Sequence, residues 1–125
     1  MTKPIRRIPT EAQEQRALFE WINFEKKVHP ELGLCFHIPN EAKRSYALAL
    51  ELQREGMRAG VPDIFLAVPT KTYHGLFIEM KRRKGGRLSD AQRGWISALN
   101  RVGYLAVVCK GWTEARDTIL DYLRT

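Results

Sequence analysis

The chain has 125 residues, enough for one domain with a proper core and too few for two. Hydrophobic residues make up 44% and charged residues 28%, ordinary for a globular protein, and no apolar run approaches the roughly 20 residues that span a bilayer. The net charge of +7, with a pI of 9.7, makes polyanions the favoured partners, because phosphate contacts release condensed counterions.

The opening MTKPIRRIPT is basic with no apolar stretch behind it, so residues 1–9 read as a basic arm, not a secretory signal, in a cytoplasmic protein. Thr10 and Gln13 match a capping box at the start of a first helix, in which Ala17, Leu18, Trp21, Ile22 and Val28 recur at helical spacing. Pro30 and Gly33 end it. Leu34 to Ile38 reads as a short strand closed by Pro39, and Asn40 can cap a second helix from Glu41 to Glu55, stopped by Gly56. Two strand-like runs follow, Asp63–Val68 and Leu76–Lys81, joined by the turn-rich PTKTYHG. KRRKGGR is an exposed loop. Ser89 with Gln92 makes a second capping box, for a helix reaching about Arg101 with Ala91, Trp95, Ala98, Leu99 and Val102 on one side. Tyr104–Cys109 is nearly all apolar and suits a strand covered on both faces. Thr113 caps a last helix carrying Ile119, Leu120 and Leu123. This order predicts one α/β domain over 1–125, a central mixed sheet flanked by helices. Leu76–Lys81, the next helix and Tyr104–Cys109 form a right-handed parallel β-α-β unit. Cys35 and Cys109 sit in apolar surroundings without metal-ligand spacing and read as buried thiols. His29, His37 and His74 also lack ligand spacing.

The charges in the hairpin carry the chemistry. With the turn centred near Thr72, Asp63 lies opposite Lys81 and Phe65 opposite Glu79. Alternation then sends Asp63, Glu79 and Lys81 to one face, at one end of an otherwise apolar ribbon. Three such charges are costly there without partners. A hard divalent cation held by Asp63 and Glu79 accounts for them, with Lys81 placed to hold the attacking water or stabilise charge on a phosphate. The same residues also fit a surface Asp–Lys bridge beside a chance Glu-x-Lys.

GVPDIFL followed by FIEMK resembles the PD-(D/E)xK nuclease motif, and the flanking blocks resemble its virus-type replication–repair branch, VRR-NUC: TEAQEQRALFEW, IPNEAKR, KGGRLSDAQRGW and GYLAVVCKGWTEA, together covering about Thr10 to Leu123. The resemblance implies a restriction-endonuclease-like fold that hydrolyses DNA phosphodiesters with Mg²⁺ or Mn²⁺. By position it makes Asp63 and Glu79 metal ligands, adds the Met80 carbonyl, and makes Lys81 the catalytic lysine. It also calls for a glutamate on the first helix. Glu11, in a Glu-x-x-x-Gln pattern with Gln15, is preferred, and Glu14 is the rival; both fall in the apolar sector of the helix. Gln92 matches a glutamine of the branch as well as serving the capping box.

Arg82, Arg83, Lys84 and Arg87 follow the motif lysine directly and are expected to meet substrate phosphates, positioning DNA without reading its sequence. Lys43 and Arg44, in the first turn expected for the second helix, oppose its dipole unless a phosphate sits there, so Asn40, Lys43 and Arg44 are expected to touch DNA too. No base-reading module is present. Compact phage-type members of the branch resemble junction-resolving homodimers, so the expected activity is cutting of branched DNA, a four-way junction above all, in a bacterial or phage-infected cell. A flap nuclease and a non-catalytic basic DNA-binding module are the alternatives.

Overall fold

Four short strands form one sheet in the order β1-β2-β3-β4: β1 Cys35–His37, β2 Ile64–Leu66, β3 Leu76–Lys81 and β4 Leu105–Lys110. The first three are antiparallel neighbours, and β4 runs parallel to β3. The computed structural model describes residues 7–39 and 45–125. Its helices are α1 Glu11–Glu25, α2 Tyr46–Arg54, α3 Asp90–Arg101 and α4 Trp112–Leu123, with a 3₁₀ turn at Pro30–Leu34. This is the expected mixed sheet flanked by helices.

Alternation along β3 divides the sheet. Leu76, Ile78 and Met80 join Ile64 and Leu66 in a core closed by Leu18 and Ile22 of α1 and by Ala115, Ile119 and Tyr122 of α4. The opposite face carries Phe65 stacked on Phe77 at 4.3 Å, with Tyr104 edge-on to both. Glu79 and Lys81 share the parity of Phe77. Cys35 and Cys109 are buried and unpaired as disulfides, and burial pushes their thiols up to about 12 and about 11.

Both predicted capping boxes are formed. The Thr10 hydroxyl accepts from Gln13 N–H while Gln13 Oε1 accepts from Thr10 N–H, and Ser89 and Gln92 repeat the exchange. Three local expectations are corrected. The pairing Ile64 with Ile78 centres the hairpin on Lys71 rather than Thr72, because the Thr70 N–H and hydroxyl gather Tyr73 and Thr72 into a tight turn: Thr70 N–H donates to the Tyr73 carbonyl at 2.9 Å, and Thr70 Oγ1 accepts from both Thr72 and Tyr73 N–H. The register thus differs by two, which leaves every side chain on its expected face. Val28 is 71% exposed, since α1 stops at Glu25 before it. The last helix starts at Trp112, with Gly111, φ 89°, in the cap position and no cap from Thr113. The second helix runs from Tyr46, capped by Ser45, whose hydroxyl accepts from Leu48 N–H; the expected cap Asn40 and the expected start at Glu41 lie outside the described residues. No helix among the described residues is long and apolar enough to cross a membrane.

Candidate active site

The β2–β3 ladder stops where the chemistry starts. Continued past Ile64–Ile78, the register would set Met80 against Pro62, which has no N–H to give. Side chains take over the bonding instead. Met80 N–H donates to Asp63 Oδ2 at 2.9 Å, and Asp63 N–H donates to Glu79 Oε2 at 3.2 Å. These crossed bonds hold the two carboxylates together on the face of Phe65 and Phe77. The Asp63 carbonyl is fixed as well, accepting from Ile38 N–H at 2.6 Å and lying 2.9 Å from His37 Nδ1.

Glu79 is 2% exposed. Its Oε1 accepts from Gln92 Nε2 at 2.6 Å and lies 3.6 Å from Lys81 Nζ. Burial, then the neighbouring Asp63 carboxylate, push the Glu79 carboxyl up to about 8, against the pull of Lys81. Gln92 makes two kinds of bond at once: its Oε1 completes the expected α3 capping box while its Nε2 donates to Glu79. Asp63, Glu79, Lys81 and Gln92 are thus brought together, with Met80 between the two motif residues.

This donor set suits a hard divalent ion of the Mg²⁺ type, which takes one or two carboxylates and fills its remaining positions with water and phosphate oxygens. Among the described residues no third Asp, Glu, His or Cys gathers with the pair. Neither helix-1 acid joins them in such a group. Glu11, the preferred one, is exposed. Glu14 is 1% exposed, accepting from Arg83 Nε at 2.9 Å and from Trp112 N–H at 3.3 Å. It supplies the anionic cap that α4 does not receive from Thr113, and Gly111 makes room for it: a Cβ there would come within 3.0 Å of Glu14 Oε2.

The basic loop is less uniform than its sequence. Arg83 is drawn to Glu14, Arg82 reaches the Ile8 carbonyl at 3.5 Å, and Lys84 and Arg87 are exposed. Asn40, Lys43 and Arg44 lie outside the described residues. Two cations that sequence reasoning passed over, Arg93 and Lys110, line an open pocket of about 620 Å³ with Lys81 and Arg87. The signal for Lys110 was its place in a strand parallel to Leu76–Lys81, but that requires the register.

A family model described as VRR-NUC domain matches residues 2–112. A solved structure titled "VRR_NUC domain protein" superposes with a TM-score of 0.81 at 30% identity, covering 94% of this chain and 91% of that one. No curated protein matches.

Proposed function

The chain belongs to the VRR-NUC domain family, whose function is nuclease-type processing of DNA, and from that premise we propose that it is a divalent-metal-dependent endonuclease acting on branched DNA, resolving four-way junctions as a homodimer in the cytoplasm of a bacterium or phage-infected cell. The observation that carries the reading is the crossed Asp63–Glu79 pair with Lys81 Nζ 3.6 Å from Glu79 Oε1. A structural salt bridge needs one acid, and here two are forced together in a partly dehydrated corner.

In this reading Asp63, Glu79 and the Met80 carbonyl would hold Mg²⁺ or Mn²⁺, which would supply acidity to a water and neutralise charge on the phosphate. Gln92 and the Asp63 N–H fix both oxygens of Glu79, so its orientation exists before substrate arrives. Lys81 donates from a compact ammonium to the attacking water or a phosphoryl oxygen as negative charge builds. Lys84 and Arg87 draw the backbone of the DNA in without reading bases. Two copies related by a two-fold axis would present paired sites to a symmetric junction. The stripe Ala91, Gly94, Trp95 and Ala98 on α3, the first and second exposed and the other two half-buried, on a helix with no buried residue, supports such pairing.

Labelled four-way junction, flap and plain duplex, each with Mg²⁺ and with chelator, test the reading. Paired cuts in the junction that vanish in chelator and in Asp63→Ala are expected, together with a solution mass near twice 14.5 kDa. Tight DNA binding with no cut under Mg²⁺ or Mn²⁺ would leave a basic binding module instead.

A further inference from the structure

Beside the carboxylate pair the sheet and loop gather more positive charge than the hydrolytic step uses. Lys81 ends β3, Lys110 ends β4, Arg87 lies in the loop between β3 and α3, and Arg93 stands one turn into α3; all four line the 620 Å³ pocket, and no acid among the described residues does. Lys81 and Lys110 are register partners on adjacent parallel strands, whose axes lie about 5 Å apart. Arg93 has an exposed partner, Asp90, at 3.0 Å, and Lys81 leans on Glu79. Among the described residues neither Arg87 nor Lys110 is paired with an acid. Gly86 completes the shape: a Cβ there would stand 3.1 Å from Lys81 Cβ and 3.3 Å from its Cδ, so any larger residue would press the loop and the lysine stem apart by a few tenths of an ångström.

Gathering like charges in a concavity is unfavourable unless an anion occupies it. Two guanidinium forks and an ammonium are the groups that match phosphate oxygens. Lys81 is shared: it borders the carboxylate pair on one side and the pocket on the other. We propose that this pocket seats a second phosphodiester of the substrate strand, the neighbour of the one cut, held by Arg87, Arg93 and Lys110. The assignment rests on the nuclease reading and extends it to substrate register. Gripping the adjacent phosphate fixes the scissile one against Lys81, whatever bases flank it.

The test replaces single phosphates around the cut with uncharged methylphosphonates. In the unaltered protein, neutralising one adjacent linkage should slow cleavage by about tenfold or more, the scale of a lost charged hydrogen bond. In the Arg93→Gln, Lys110→Gln double variant, cutting should be slower on every substrate and indifferent to that replacement. Insensitivity of the unaltered protein at both neighbouring linkages, or undiminished sensitivity in the double variant, would overturn the proposal. A second measurement does not need cleavage. Inorganic pyrophosphate added to metal-free protein should move the amide resonances of Gly86, Arg87 and Lys110, and should not do so in the double variant. Shifts absent or scattered elsewhere would sink the pocket. A protein that cuts nothing yet shows these shifts would lose the nuclease reading and keep the anion site.

Discussion

Two glutamates are buried among the described residues, and their surroundings differ. Glu14 meets a guanidinium at 2.9 Å and a helix-end N–H, both donors. Glu79 meets a glutamine amide, a backbone N–H and a more distant ammonium, but also a second carboxylate bonded to the next backbone N–H. The first arrangement satisfies its charge and joins α1 to α4 and to the segment after β3. The second sets a like charge beside a buried acid: burial first, and then the Asp63 carboxylate, push Glu79 upward against the pull of Lys81. Burial alone does not separate a structural acid from a reactive one; the sign of the nearest neighbour does.

Substitutions on the two sides of this comparison should therefore fail in different ways. The largest effect is expected from Asp63→Ala and Lys81→Ala, each lowering cleavage of junction DNA about a thousandfold or more while the folded state survives. Gel assays beside thermal melts check both parts, and loss of folding in step with activity would contradict the division. Gln92→Ala should cost about 10–100-fold in activity, the usual range for a group that orients a metal ligand, and should be partly offset by raised Mg²⁺. A Gln92→Ala protein that cuts at the normal rate would reduce the residue to a helix cap.

On the Glu14 side the expected loss is stability. Arg83→Ala strands a buried carboxylate and should cost about 2–3 kcal/mol in denaturant unfolding, less than for a fully buried partner because the Arg83 side chain is half exposed. Replacing both residues, as Glu14→Leu with Arg83→Met, should recover much of it. If the double substitution proves as damaging as the single one, the ion pair is not what holds these elements together.

The smallest effect is on pH. Thiols raised to about 12 and 11 stay protonated in the fold at pH values where the unfolded chain, with thiols near 9.0, has ionised. Deprotonation then favours the unfolded state, so the contribution of the two thiols should be level below pH 9 and turn against the fold above it, beyond the window of about 4.5 to 8 in which the raised Glu79 carboxyl acts in the same direction. Cys35→Ala should shallow that slope. Labelling by a thiol reagent at pH 8 should likewise wait on unfolding.

How much of this was legible in the sequence follows from the range of the forces involved. Thr10–Gln13 and Ser89–Gln92 are bonds across three residues, and both were readable. So was the shared face of Asp63, Glu79 and Lys81, because alternation survives a register error of two. The hairpin centre was not, since it depends on the hydroxyl of Thr70 collecting two amides, and turn composition does not reveal that. The cap of α4 was hidden for a stronger reason: its acceptor, Glu14, lies 98 residues away. Glu11 and Glu14 share one sector of the helix, and only packing shows that Glu14 is the one taken inside. The pocket of Lys81 and Lys110 needed the pairing of two strands that are far apart in the chain.

Pro62 has a practical consequence. Because it ends the ladder, main-chain amides, which any substitution but proline leaves in place, help hold Asp63 and Glu79. An Asp63→Asn chain keeps an oxygen for Met80 N–H and should retain the shape of the corner without its charge. Such a protein would be an inert trap: it would grip its nucleic acid, leave it intact, and let the captured strands be recovered and sequenced.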